Sequence, residues 1–120
     1  MKALSKTQVN TLMSSFVAEC RVLFGDKLSD VLLFGSYARG DYCDDSDVDV
    51  IVILDMKNDE IRKYLDDICH ITSELEFEYN ICIMPVLQSK NEYEIHCETY
   101  GFFKNVREQG VSKYAKQPYA

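Results

Sequence analysis

Two short apolar runs near the middle of the chain constrain its fold more than any other feature. The first is Val31–Phe34, which ends at Gly35, and the second occupies residues 47–54 with the sequence DVDVIVIL. Short continuous apolar runs that end at turn signals are typical of strands buried on both faces of a sheet. Helices must cover such a sheet, so the two runs predict an α/β sandwich.

The segments around these strands carry helical patterns. Ser5-Lys6-Thr7-Gln8 is a capping box, and apolar residues follow at helical spacing up to Gly25, which predicts a first helix over residues 6–24. Asn58 and the two acidic residues after it predict the start of a second helix, whose apolar face continues to Leu75. Further along, we expect a third strand over Phe77–Val86 that closes at Pro85. The capping box of Ser89 and Glu92 predicts a short helix near residues 90–97. We also expect a last helix that ends at Gly110, followed by an edge strand over Val111–Ala115.

Length and charge narrow the class of protein. A chain of 120 residues has the size of one domain, and we expect residues 1–120 to form it. Thirteen basic residues stand against twenty acidic ones, a net charge of −7 with no basic cluster, so we expect no direct binding to nucleic acid. No apolar run is long enough to span a membrane, and the N-terminus resembles a helix start rather than a signal peptide, so we expect a cytoplasmic protein.

The polar segment between the two strands carries the residues suited to chemistry. Gly35 lacks a Cβ, so a phosphate can approach the backbone, and Ser36 can donate its hydroxyl and its N–H. Asp47 and Asp49 lie at i and i+2 of a strand, so they share one face while the alternating apolar residues point into the core. Two carboxylates held so close raise each other's proton affinity unless a cation, such as Mg²⁺ or Mn²⁺, lies between them. A metal ion would also explain how an acidic protein can bind an acidic phosphate substrate.

The joint pattern of a buried strand, Gly35-Ser36-Tyr37-Ala38-Arg39-Gly40, Ser46-Asp47-Val48-Asp49 and a second buried strand resembles the minimal nucleotidyltransferase domains of the DNA polymerase β superfamily. The resemblance implies a polymerase β-like palm, in which helices flank a small mixed sheet, and two-metal nucleotidyl transfer from a nucleoside triphosphate such as ATP. It implies the following site residues: Gly35, Ser36, Arg39 and Ser46 for the nucleotide, and Asp47 and Asp49 as catalytic ligands of Mg²⁺. For Arg39, a surface salt bridge is the alternative interpretation.

One position departs from the pattern that the resemblance implies. Members with a complete catalytic set carry a third acidic residue on the third strand, and Cys82 stands at its place here. Glu78 shares a strand face with Cys82 by alternation and becomes a candidate catalytic acid if the register differs. Two functions therefore stay open: transfer of a nucleoside monophosphate, AMP first, to a protein or small-molecule hydroxyl, and a degenerate module that binds nucleotide or a partner by contact only.

The acceptor of such a transfer must come from outside the palm. We expect the palm to use the whole chain, so a partner chain or a second copy would supply the acceptor. The resemblance extends to antitoxins of two-gene modules, and it implies an all-α HEPN ribonuclease toxin as the partner, which would be adenylylated on a tyrosine or masked by binding. Aromatic residues near the C-terminus pack in a terminal helix or form a partner-binding patch; they are Tyr93, Tyr100, Phe102, Phe103, Tyr114 and Tyr119.

Overall fold

The computed structural model of the protein describes residues 2–96 and 101–115. Its helices are α1 (Lys6–Phe24), α2 (Ser36–Arg39), α3 (Asn58–Ile61), α4 (Leu65–Tyr79), α5 (Lys90–His96) and α6 (Gly101–Gln109). Its strands are β1 (Leu28–Phe34), β2 (Val48–Leu54), β3 (Ile83–Ser89) and β4 (Val111–Ala115). Single 3₁₀ turns over Gly25–Lys27 and Arg62–Tyr64 precede β1 and α4.

The four strands form one mixed sheet in the order β3-β2-β1-β4. Strand β1 pairs antiparallel with both β2 and β4, whereas β2 and β3 run parallel and are joined through α4. A parallel pair needs a crossover of this kind, usually a helix. The two central strands are thus β1 and β2, which flank the polar segment that begins at Gly35 and ends at Asp47. The predicted small mixed sheet with flanking helices is confirmed.

Strict alternation along β2 divides the core between the two faces of the sheet. Val48, Val50 and Val52 are fully buried in the larger cluster, together with apolar residues of α1 and α4. Ile51 and Ile53 are buried on the other face, in a smaller cluster with Leu32 and Val106. Apolar burial of this extent is the main stabilising contribution to such a fold. The predicted division of β2 into two faces is confirmed.

Both ends of α1 follow the sequence signals. The Ser5 hydroxyl accepts a hydrogen bond from the Gln8 N–H at 3.1 Å, and the Gln8 side chain accepts one from the Ser5 N–H at 2.8 Å, so the capping box forms. Gly25 ends the helix with a positive φ. The edge strand over Val111–Ala115 is also confirmed, because among residues 2–96 and 101–115 it pairs with β1 and lies at the end of the sheet.

The prediction of a third strand over Phe77–Val86 is wrong at its start. Helix α4 continues to Tyr79, and Asn80 ends it in the left-handed conformation (φ 51°, ψ 51°), donating its N–H to the Glu76 carbonyl. Strand β3 begins only at Ile83 and runs past Pro85, which is tolerated because β3 is an edge strand. Glu78 consequently lies exposed on α4, and its expected place on a strand face with Cys82 is a wrong prediction.

Three of the C-terminal aromatic residues, Tyr93, Phe103 and Tyr114, are half-buried and contact neighbouring elements, and the side chain of Phe102 is outside the described part of the structure. Tyr93 of α5 meets Phe103 of α6 edge to face at 5.9 Å between ring centroids, and Arg21 lies 5.5 Å above the Tyr114 ring. Tyr100 and Tyr119 lie outside the described residues. Over residues 2–96 and 101–115, the helices are all too short or too polar to cross a membrane.

Candidate functional site

The two halves of the motif meet at one corner of the sheet, where β1 ends and β2 begins. Phe34 and Asp49 are opposite each other in the antiparallel pair, which brings Gly35 beside the Asp49 carboxylate. Gly35 has φ 74° and ψ −156°, a region that is essentially restricted to glycine. A Cβ at Gly35 would collide with Oδ2 of Asp49 and lie 3.1 Å from its Cγ. We call this group the aspartate corner: Gly35, Ser36, Asp47 and Asp49.

Helix α2 fixes the position of Ser36 in this corner. The N–H groups of Ala38 and Arg39 donate to the Gly35 carbonyl at 3.1 Å, so Ser36 begins a single helical turn. The first N–H groups of such a turn are not used by the helix itself and stay available to another acceptor. Tyr37 anchors the turn, since its ring is buried and its hydroxyl accepts the Leu4 N–H at 3.1 Å.

Negative charge in the aspartate corner is only partly compensated. Asp47 is exposed and Asp49 is half-buried. Burial raises the pKa of the Asp49 carboxyl, the charge of Asp47 raises it further, and only Arg39 opposes them. Arg39 itself is exposed and forms an ion pair with Asp41 at 3.2 Å. This is the surface salt bridge that was the alternative to a nucleotide contact in the sequence analysis.

Ser46 is held by the loop that leads into β2. Its hydroxyl accepts the Cys43 N–H at 2.9 Å, and its own N–H donates to the Cys43 carbonyl at 3.1 Å. These two bonds close a turn one residue before Asp47, so Ser46 fixes the entry of the chain into the aspartate corner.

Two sulfur-containing residues lie beside the aspartates: Cys82 directly before β3, and Met84 on β3. The Cys82 carbonyl accepts the Val48 N–H at 2.9 Å, and Met84 is the register partner of Asp49. Burial raises the pKa of the Cys82 thiol, and the charges of Asp47 and Glu76, with hydrogen bonds to both carboxylates, raise it further. The thiol is therefore held in its protonated form.

Glu76, rather than Glu78, reaches the start of β3. Its Oε2 accepts the N–H of Ile83, the first residue of the strand, at 2.9 Å. The Glu76 carboxylate also lies close enough to Cys82 to act on the pKa of the thiol. Glu78, two residues further along α4, is exposed and is not part of this group.

Sequence reasoning missed two amide side chains on α6. Asn105 and Gln109 line a cavity of about 220 Å³ together with Phe34, Gly35 and Arg39. The two amides are four residues apart, so they lie on one face of the helix, and the buried Val106 turns that face towards the sheet. The spacing was visible in the sequence, but nothing there placed α6 beside Gly35.

The donor atoms of the aspartate corner fit one Mg²⁺ ion. Asp47 and Asp49 offer hard carboxylate oxygens, and Mg²⁺ is usually bound by one or two carboxylates, water and substrate phosphates. The thiol of Cys82 and the thioether of Met84 are soft donors that suit other metals. Among the described residues there is no group of three or more His, Cys, Asp or Glu side chains arranged to hold a metal ion.

Comparison with known proteins agrees with this fold. The family model described as "Nucleotidyltransferase domain" matches residues 13–114. Two proteins of Methanocaldococcus jannaschii, each named "Putative protein adenylyltransferase", are 36% identical over 83 residues (69% of this chain, 82% of the relative) and 30% identical over 102 residues (85% and 94%). A crystal structure described as a toxin-antitoxin with AMP-PNP has the same fold, with a TM-score of 0.54 at 19% identity, over 95% of this chain and 76% of the other.

The fold and the aspartate corner define a nucleotidyltransferase palm. Because the family model covers most of the chain, the protein belongs to the nucleotidyltransferase domain family. The chain is 30–37% identical to three relatives named as putative protein adenylyltransferases.

Proposed function

We propose that the protein transfers AMP from ATP to a hydroxyl group of a partner protein in a Mg²⁺-dependent reaction. The observation that carries the proposal is the aspartate corner, in which the Asp49 carboxylate is packed against Gly35 and Asp47 lies beside it. The names of the relatives support AMP as the transferred group and a protein as the acceptor.

The uncompensated charge of the corner supports the metal requirement. A cation between Asp47 and Asp49 would remove the like-charge repulsion that raises the pKa of Asp49. When bound there, Mg²⁺ would neutralise the charge that builds up on the phosphate oxygens during the transfer. Mn²⁺ accepts the same oxygen ligands and is expected to replace it.

The residues around the corner supply the remaining parts of the reaction. Ser36 donates its hydroxyl and backbone N–H to the triphosphate, while Gly35 leaves room beside the Asp49 carboxylate. Arg39 exchanges its partner Asp41 for a phosphate oxygen, because an exposed ion pair of this kind contributes little. Ser46 keeps the loop next to the nucleotide. The acceptor oxygen attacks the α-phosphorus of ATP, the bond to the β-phosphate oxygen breaks, pyrophosphate leaves, and the hydroxyl proton passes to water.

Asn105 and Gln109 are proposed to contact the nucleoside. They line the cavity beside Gly35, and an amide can donate to and accept from the edge of adenine at once. Their position on α6 would let this helix set the preference for the base.

We propose a HEPN-type toxin as the acceptor and partner. The structural neighbour is described as a toxin-antitoxin with AMP-PNP, and that description supports an assembly of this kind. A second copy of the chain is the alternative acceptor.

A second candidate function is contact without transfer. The sulfur atoms at Cys82 and Met84 favour it, because the third strand supplies no carboxylate next to Asp47 and Asp49. A module of this kind would bind ATP and its partner but leave the partner unmodified.

Incubation with α-labelled ATP, Mg²⁺ and the HEPN-type partner separates the two functions. Adenylyl transfer predicts label on the partner, and we expect Asp47→Asn to reduce it by at least about a hundredfold. Asp45→Asn, an exposed aspartate in the same loop, is the matched control and should leave labelling unchanged. Partner binding that persists in the Asp47→Asn, Asp49→Asn double variant, with no label transferred by the natural protein, would instead establish the contact-only function.

A further inference from the structure

A second and larger cavity lies on the opposite face of the sheet from Asp49. It has a volume of about 460 Å³, within the range of sites for small molecules. Leu33 lines it and belongs to the larger cluster under α1, whereas the next residue, Phe34, packs on the face that carries Asp49. The sheet therefore separates this cavity from the aspartate corner.

The floor of the cavity is apolar and the mouth carries an aromatic ring. Val9, Leu33 and Tyr37 are buried and line the floor. Tyr42 stacks on Tyr37 with 4.5 Å between ring centroids and an angle of 12°, and it is 36% exposed. A ring held in this way by a second ring offers a flat surface on which a planar ligand can stack at little cost in side-chain entropy.

The rim of the cavity is cationic, although the protein as a whole has a net charge of −7. Lys6, Arg39 and Lys113 line it, and the described lining includes no acidic side chain. The Lys113 ammonium donates to the Asn10 side chain at 3.2 Å, a neutral partner that leaves its charge uncompensated. The charge of Arg39 is compensated in part by its exposed ion pair with Asp41, so the positive charge at the opening comes mainly from Lys6 and Lys113. Two ammonium groups beside a guanidinium favour an anion with several oxygen atoms, such as a phosphate.

We propose that this cavity is a binding site for a nucleoside monophosphate, separate from the aspartate corner. The phosphate lies among Lys6, Arg39 and Lys113, and the base stacks on Tyr42 above the apolar floor. The proposal does not rest on the proposed catalytic function, because the site uses none of the aspartates. Since Arg39 also lines the smaller cavity beside Gly35, α2 forms a wall of both sites.

The experiment uses the full chain with the substitutions Asp47→Asn and Asp49→Asn. AMP is titrated into this variant in EDTA, and binding is measured by calorimetry and by tyrosine fluorescence. These substitutions and the absence of metal remove the metal-dependent binding at the aspartate corner. We expect saturable binding of one AMP, weakened about tenfold or more by Lys6→Ala with Lys113→Ala. The matched pair Lys57→Ala with Lys63→Ala, exposed lysines away from the cavity, should leave the affinity unchanged.

Two further probes test the chemistry of the ligand. Ribose 5-phosphate and adenosine should each bind at least about tenfold more weakly than AMP, since each lacks one half of the recognised group. Tyr42→Leu keeps apolar volume but removes the ring, so it should weaken AMP and leave ribose 5-phosphate unchanged. Any of three results would overturn the proposal: an AMP affinity unchanged by Lys6→Ala with Lys113→Ala, ribose 5-phosphate that binds as tightly as AMP, or AMP binding that does not saturate. Thermal melts establish that the variants fold.

Discussion

The Asp49 carboxylate occupies the space that a side chain at Gly35 would need. This contact joins the end of one central strand to the start of the other. It requires a glycine at position 35 whether or not a phosphate is bound there. The geometry of the Asp49 carboxylate and that of the turn are therefore coupled.

Gly35→Ala should damage stability and activity together. The substitution forces a Cβ into the Asp49 carboxylate and a non-glycine residue into a region that costs about 1–3 kcal/mol. Urea unfolding and the labelling assay would measure both effects. Gly101→Ala is the control, because a Cβ there meets open space; an equal loss of stability in both variants would contradict the prediction.

Replacing Asp49 should make the metal-free fold more stable while removing activity. The pKa of Asp49 lies above its ordinary value of 3.8, so the folded state holds this proton more tightly than the unfolded state does. By linkage, its contribution to the free energy of unfolding falls as the pH rises from about 3.9 through the folded-state pKa, and stays low above it. Asp49→Asn abolishes that fall.

The measurement is the difference in melting temperature between Asp49→Asn and the natural protein from about pH 3.5 to 7 in EDTA. We expect the difference to grow in favour of the variant and to reach a plateau near neutral pH. Asp45→Asn, at an exposed carboxylate of the same loop, is the matched control and should show no comparable growth of the difference. A pH-independent difference for Asp49→Asn would count against the assigned electrostatics.

Cys82→Asp should increase adenylyl transfer by at least about tenfold, because it places a carboxylate beside Asp47 where a base or a further metal ligand can act. In the absence of Mg²⁺ the same variant should be less stable, since a third negative charge joins Asp47 and Glu76. Cys82→Ser, which changes size little and adds no charge, is the control for labelling. Lower transfer by Cys82→Asp than by Cys82→Ser would contradict the prediction.

Glu76 and Glu78 should behave differently although they are two residues apart. Glu76→Ala leaves the N–H of Ile83 without its acceptor at the start of β3, which should cost about 1–3 kcal/mol. Glu78→Ala removes only an exposed side chain and should change neither stability nor labelling. Chemical denaturation of both variants checks this, and a loss of activity confined to Glu78→Ala would restore Glu78 as a catalytic candidate.

The sequence predicted the aspartate corner because its residues lie on two short strands with strong periodicity. Asp47 and Asp49 follow the period of β2, and Gly35 marks the end of β1. The third strand was misplaced because Phe77 and Glu78 fit a strand alternation as well as a helix. The left-handed turn at Asn80, which decides where α4 ends, depends on tertiary packing rather than on local pattern.

The position of the two amide side chains of α6 beside Gly35 could not be predicted from the sequence, for a related reason. Which face of a nine-residue helix meets the sheet depends on a buried anchor, here Val106, and on the strand that follows it. Periodicity identifies a face but does not say which part of the sheet it covers.

The placement of β1 and β2 in the middle of the sheet also has a dynamic consequence. Both strands are paired on their two sides, whereas within the described part of the chain β3 and β4 are each paired on one side. Amide protons of the central strands should therefore exchange with solvent most slowly, and partial opening should begin at the edges. Fraying of β4 and α6 would then open the cavity beside Gly35 while Gly35 and Asp49 keep their contact.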